Sequence, residues 1–308
     1  MKRKFIAAIL TMSMVFGMTA CGSSSKDTAE EPAKEEAAEE GSADTAEEST
    51  EDAVEESASG ELETVTEGKL TVATSPDFAP YEFYAVDESG TPHLAGFDIA
   101  LAGYIADYLG LELEVVPVDF DGVLMELQTK SVDIGLAGLS PDPKRDSIMD
   151  FSSIYYEGGQ SFVCRMDDKD KFTSLEDTNS SDLEIGAQTG SIQVDLAQTN
   201  SPDADIIQLN KVTDIIEEVL TGKLDGAYIE EAVAESYAKN YPDLCVVLDV
   251  PYDGAEGSAV GVSKGNEALL NGVNEAIEAA IADGSMDSFV AEANDQASGD
   301  IIEGLLDD

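Results

Sequence analysis

Residues 133–156 read DIGLAGLSPDPKRDSIMDFSSIYY, a strand, a glycine break and a charged loop in one run. It opens as a short apolar strand at residues 134–136 and breaks at Ala137-Gly138. It then passes two prolines and delivers Arg145 before an aromatic-rich exit. Arginine is scarce, the only three being Arg3, Arg145 and Arg165. A guanidinium that follows a strand end and a glycine turn is suited to clamp a carboxylate, because its planar fork meets two oxygens at once. On residue type alone the commoner role is a solvated loop arginine, so the neighbouring segments have to decide between the two.

Upstream, residues 70–73 read as a strand followed by the turn-rich SPDFAPYEF. Residues 98–109 carry Ile99, Ala102, Ile105 and Leu109 on one helical face, stopped by Gly110. A second strand at 111–116 and a helix at 121–129 lead into the strand at 134–136. A β-α-β-α-β order implies a parallel sheet with right-handed crossovers, and ligands collect beyond the carboxyl ends of such strands. The loops ATSPDF, PVDFDG and AGLSPDPKR therefore belong together in space, which favours a working Arg145.

Downstream a second unit of the same type follows. It has strands at 161–163, 184–187, 205–209, 224–229, 244–248 and 259–262, and helices at 191–198, 212–220 and 230–239. The strand at 184–187 ends in Gln188-Thr189-Gly190-Ser191. A closing helix at 266–282, with Gly284 as its stop, turns Leu269, Leu270, Val273, Ile277 and Ile281 inward. Two α/β units without a catalytic constellation suggest a cleft binder.

The chain of 308 residues suits about two domains. Its 65 acids against 16 bases, a formal charge of −49, exclude a nucleic-acid binder that relies on a basic footprint. Residues 1–20 read as a secretory signal: Lys2, Arg3 and Lys4, an apolar run too short for a membrane span, then Met18-Thr19-Ala20 before Cys21. Residues 26–60 hold 14 acids, two bases and no aromatic residue, so they are expected to stay disordered as a spacer. Cys164 and Cys245 fit either two buried thiols or one disulfide. With His93 as the sole histidine, no Cys/His metal spacing exists, and neither a metal nor a cofactor is expected.

The ordered motifs resemble the bacterial extracellular solute-binding proteins of family 3, the polar amino-acid binders that serve ABC importers. They run from ATSPDFAPYEF and GFDIALAGYIADYLG through the opening stretch to LEIGAQTGSIQ, GKLDGAYIEEAVA and AVGVSKGNEALLNGVNEAIEAAIADGSMDSFV. The resemblance implies a bilobed periplasmic-binding-protein-like α/β fold whose lobes are joined by a two-strand hinge. It places lobe 1 at residues 69–161 and 257–308 and lobe 2 at 162–256, which moves the final helix back to the first lobe. Residues 1–20 become a lipoprotein signal, and 21–68 a lipidated Cys21 with a disordered acidic linker.

By the same likeness Arg145, helped by Ser140 and the backbone at Gly138, clamps the ligand α-carboxylate. The N–H groups of Gly190 and Ser191 meet the same carboxylate at a helix N-terminus. Glu230 accepts the α-ammonium where the family usually has Asp, and Glu231 could share that role. Phe78, Phe120, Ser75 and Gln188 line the ligand side chain, with a polar amino acid favoured over a cationic one because Ser75 stands where cation binders often carry Asp. The implied partners are an amino acid, a permease with its ATPase, and the membrane through the N-terminal lipid; the protein itself is expected to be a monomer and no enzyme. Two other readings stay open: a ligand-sensing surface lipoprotein, and a dehydratase on the same fold with Glu230 or Glu82 as proton donor.

Overall fold

The computed structural model describes residues 62–87, 89–254 and 257–298. Cys21, the signal segment and the whole acidic spacer at 26–60 lie outside the described residues. In chain order the first elements are strands β1 (Lys69–Thr74), β2 (Asp77–Phe78), β3 (Glu82–Val86) and β4 (Pro92–Ala95), then helix α1 (Phe97–Leu109), β5 (Glu112–Pro117), α2 (Phe120–Thr129), β6 (Ile134–Gly135) and β7 (Met149–Tyr156). There follow β8 (Gln160–Arg165), β9 (Glu184–Gln188), α3 (Ile192–Asn200), β10 (Asp205–Leu209), α4 (Val212–Thr221), β11 (Gly226–Glu230), α5 (Glu231–Asn240) and β12 (Leu244–Val250). The last are β13 (Ser258–Ser263), α6 (Glu267–Ala282) and α7 (Ser285–Gln296).

Two five-stranded sheets share one plan. The first runs β5-β1-β6-β13-β7, the second β10-β9-β11-β8-β12. In each the first three strands are parallel and the fourth runs antiparallel to both of its neighbours. The three strands of the β-α-β-α-β order are parallel as expected, and each sheet is mixed only through the strands added beyond them. The chain passes from the first sheet to the second at residues 157–159, and β13 brings it back.

Period-two alternation splits each strand between two helical layers. In the first sheet Leu70 and Val72 face Leu101, Ile105, Leu269 and Val273, while Ala73 turns to Val123 and Leu127. In the second, Ala227 and Ile229 face Ile215, Val219 and Val233, while Tyr228 turns to Leu196 and Ala197. Helix α4 shows why such segments fold as they do: Ile215, Ile216 and Val219 are almost fully buried, each contributing on the order of 2 kcal/mol. Gly222 ends the helix at φ +78°, a backbone conformation that costs glycine nothing.

Four features depart from the expectation. The "aromatic exit" is strand β7, whose neighbour in the sheet is β13 from a hundred residues downstream. SPDFAPYEF, read as a turn, supplies β2 and the start of β3 in a small antiparallel sheet with β4. Gly284 stops α6 and also opens a further helix, α7, whose acid-rich sequence buries little beyond Met286 and Ala293. The folded region also begins before Lys69: Val65 N–H donates to Asp133 Oδ1 at 2.7 Å, and Asn266 Nδ2 donates to Glu63 O at 2.8 Å. Cys164 and Cys245 face each other in the β8–β12 register, and both are free thiols.

Candidate ligand-binding cleft

Arg145 ends a short 3-10 turn, Pro143–Arg145, capped by Asp142 Oδ1, which accepts the Lys144 N–H at 2.9 Å. The loop leading there bends at Gly138, whose φ is +54° and where a Cβ would come within 2.6 Å of the Phe78 ring. Glycine is required on both counts. The Arg145 side chain is 6% exposed. Its Nη1 donates to Ser140 O at 3.2 Å and its Nη2 to Gly190 O of the second lobe at 3.1 Å. The guanidinium lies 5.6 Å from the centre of the Phe120 ring, within cation–π range. Burial lowers its pKa, yet a guanidinium keeps its charge in proteins. Among the described residues no carboxylate pairs with it: both hydrogen bonds go to neutral carbonyls.

Glu230 is the last residue of β11 and the N-cap of α5. Its Oε2 accepts the Val233 N–H at 2.9 Å, and its Oε1 accepts the hydroxyl of Tyr81, from the first lobe, at 3.0 Å. The carboxyl is 3% exposed, and burial pushes its pKa up to about 7 against the opposing N–H and hydroxyl donors. Tyr81 is fully buried; its ring packs 4.3 Å from Phe97, 5.4 Å from Phe78 and 5.5 Å from Tyr156. Gly158, in the crossing between the sheets, passes so close that a Cβ there would sit 2.5 Å from Glu230 Oε1. Glu231 is exposed, so the buried acid of the pair is Glu230 alone.

Ser75, Asp77 and Gln188 form a further cluster that joins the two lobes. Ser75 Oγ donates to Asp77 Oδ1 at 2.7 Å, and Gln188 Nε2 donates to Asp77 Oδ2 at 3.2 Å. Asp77 is buried, and burial raises its pKa to about 6. The structure thus joins Arg145 to Ser140, Gly190 and Phe120, Asp77 to Ser75 and Gln188, and Tyr81 to both Phe78 and Glu230.

Two amides are engaged differently from the expectation. The Gly138 N–H donates to Asp98 Oδ2 at 3.1 Å, because Asp98 in the first turn of α1 is buried beneath the loop. The Ser191 N–H and Oγ both turn back to Gln188 O, at 3.1 and 2.7 Å, closing the turn after β9. Gly190 meets Arg145 through its carbonyl. The residue reading missed Tyr81, Asp77 and Asp98. Tyr81 and Asp77 sat inside SPDFAPYEF, and only the alternation of residues 82–86 could have flagged that segment as a strand.

The family model for bacterial extracellular solute-binding proteins, family 3, matches residues 70–293. An arginine-binding extracellular protein, ArtP, of Bacillus subtilis is 29% identical over 280 residues, 90% of this chain and 92% of that protein. The crystal structure of the amino acid ABC transporter substrate-binding protein AbpA of Streptococcus pneumoniae bound to L-arginine is similar with a TM-score of 0.72. Its identity is 32%, and the match covers 76% of this chain and 97% of that one. A cyclohexadienyl dehydratase of Pseudomonas aeruginosa is 27% identical over 186 residues, 60% of this chain and 68% of that protein.

Proposed function

The chain belongs to the bacterial extracellular solute-binding proteins of family 3, and we infer from its cleft that it captures a free amino acid for an ABC importer. One observation carries this reading: Arg145 and Glu230 are both buried, and among the described residues neither is paired with an opposite charge. An unpaired buried charge costs several kcal/mol. A zwitterion satisfies both at once, its carboxylate on Arg145 and its ammonium on Glu230. The Ser140 and Gly190 carbonyls orient the guanidinium, and Gly138 shapes the loop that presents it. The start of α3 at Ser191 adds the positive end of a helix dipole on the carboxylate side.

Phe78, Phe120, Ser75 and Gln188 face the ligand side chain. A polar or cationic amino acid fits this lining, and L-arginine heads the order because similar proteins are named for it. The ligand passes to a membrane permease driven by its own ATPase. Lobe 1 comprises residues 69–161 and 257–308 and lobe 2 residues 162–256, a division supported by the two chain crossings, although β8 already begins at Gln160. Cleavage after Ala20 and lipidation of Cys21 would hold the protein on the extracytoplasmic face of the membrane as a monomer.

A thermal-shift screen of the twenty amino acids tests the reading, since a ligand at a hundred times its dissociation constant adds about 2.7 kcal/mol. L-arginine or a polar amino acid should raise the melting temperature; no response to any of the twenty would end the proposal. Recovery of the ligand chemically unchanged would separate binding from the dehydratase chemistry of the Pseudomonas relative.

A further inference from the structure

Helix α4 has no cap of its own. Its N-cap residue is Lys211, whose side chain makes no capping hydrogen bond. Ser, Thr, Asp and Asn are favoured there because their oxygens accept from the orphan N–H groups of the first turn. The missing acceptor comes from the other lobe. Asp77 Oδ2 accepts the N–H of Val212, the first residue of α4, at 2.5 Å. The same oxygen takes Gln188 Nε2 at 3.2 Å, and the Asp77 backbone carbonyl takes the Tyr237 hydroxyl of α5 at 3.1 Å. Three second-lobe donors therefore converge on one first-lobe residue, 8% exposed, whose other oxygen is steadied by Ser75.

We propose that Asp77 is the closure latch of this protein, a first-lobe carboxylate that completes helix α4 of the second lobe and exists as a cap only while the lobes are together. The geometry separates this role from ligand recognition. The oxygen that faces Val212 and Gln188 already has two protein donors, and a carboxylate at a helix N-terminus is favoured by the dipole whatever occupies the cleft. The latch thereby slows opening for every ligand through Val212 and Tyr237, while its contacts to Ser75 and Gln188 only brace two residues of the proposed lining. This deepens the amino-acid-binding reading and rests on it only where closure is coupled to binding.

The test uses the full chain with Asp77→Ala and Asp77→Asn. The asparagine is isosteric: its oxygen serves Val212 and its amide faces Ser75 Oγ, which accepts as well as donates. Asp77→Ala should speed hydrogen exchange of the Val212 amide and raise the dissociation rates of L-arginine and L-glutamine about tenfold each, with association rates little changed. Asp77→Asn should restore most of both. Unchanged Val212 exchange in Asp77→Ala, or an Asp77→Asn variant as impaired as the alanine, would overturn the latch. A loss confined to L-arginine would also overturn it, making Asp77 a reader of the ligand side chain. If neither amino acid binds the wild-type protein, the rates are read with the amino acid that the thermal-shift screen selects; if none of the twenty binds, the amino-acid reading fails and Val212 exchange alone decides the latch.

Discussion

In the first lobe the third parallel strand, β6, is followed by the loop that carries Arg145; in the second lobe the third parallel strand, β11, ends on Glu230. The same position in the same strand order thus delivers opposite charges to one cleft. The two are held by opposite means, the guanidinium by carbonyls and the carboxylate by N–H and O–H donors. Burial works against both, with unequal results. An arginine starts so far above neutrality that lowering its pKa leaves it charged, whereas Glu230 is brought up to about 7. The first lobe therefore offers a permanent charge and the second a conditional one.

The largest effect should come from the permanent charge. Arg145→Ala removes one partner of a buried charge-assisted contact, which costs about 3 kcal/mol, and calorimetry should show affinity for the best amino acid falling roughly a hundredfold. Wild-type affinity in that variant would break the comparison at its first-lobe end.

Next comes the conditional charge. An ammonium needs Glu230 ionised, so below about pH 7 binding must first expel a proton. Affinity should be full above that value and fall about tenfold from pH 8 to pH 6. Glu230→Gln should be weak at both values with a flatter profile, and it should spare desamino analogues. An equally steep profile in that variant would move the titration to another buried acid, such as Asp77 or Asp98, each raised to about 6.

A smaller loss, about fivefold, is expected of Gly158→Ala. Its new methyl meets Glu230 Oε1 and the Tyr81 hydroxyl, at 2.5 and 3.3 Å from the Cβ. Equilibrium dialysis would detect it, and a variant indistinguishable from wild type would mean that Glu230 has room to retreat. The smallest belongs to Lys144, whose 2.7 Å ion pair with Asp195 crosses between the lobes but is largely exposed, at 69% and 47%. Exposed pairs contribute little, so Lys144→Ala should stay within about twofold in the same assay; a larger change would place Lys144 among the residues that hold the lobes closed.

The parallel strands, the core helices and Arg145 were legible because they rest on local signals: periodicity, glycine stops and one scarce residue after a strand break. What escaped depends on distant partners. β7 is a strand because β13 pairs with it, and nothing in FSSIYY announces a partner a hundred residues away. Asp77 looked like a turn residue, since aspartate favours turns, and its second-lobe donors at Gln188 and Val212 have no trace in the spacing. The same limit applied to the Ser191 amide, where a helix N-terminus was foreseen but not that its N–H would close the turn onto Gln188.

The position of β13 also sets an order of assembly. The second sheet is drawn from one continuous run, β8 to β12, so it can close as soon as that run has emerged. The first sheet stays open until β13 arrives to bridge β6 and β7, the strands on either side of the Arg145 loop. Contacts so distant in sequence close late and slowly. On folding, the second sheet should therefore form before the first. A chain cut short before β13 would hold a complete second sheet with Glu230 at the end of β11, still short of its Tyr81 partner, and an Arg145 loop whose two flanking strands nothing bridges.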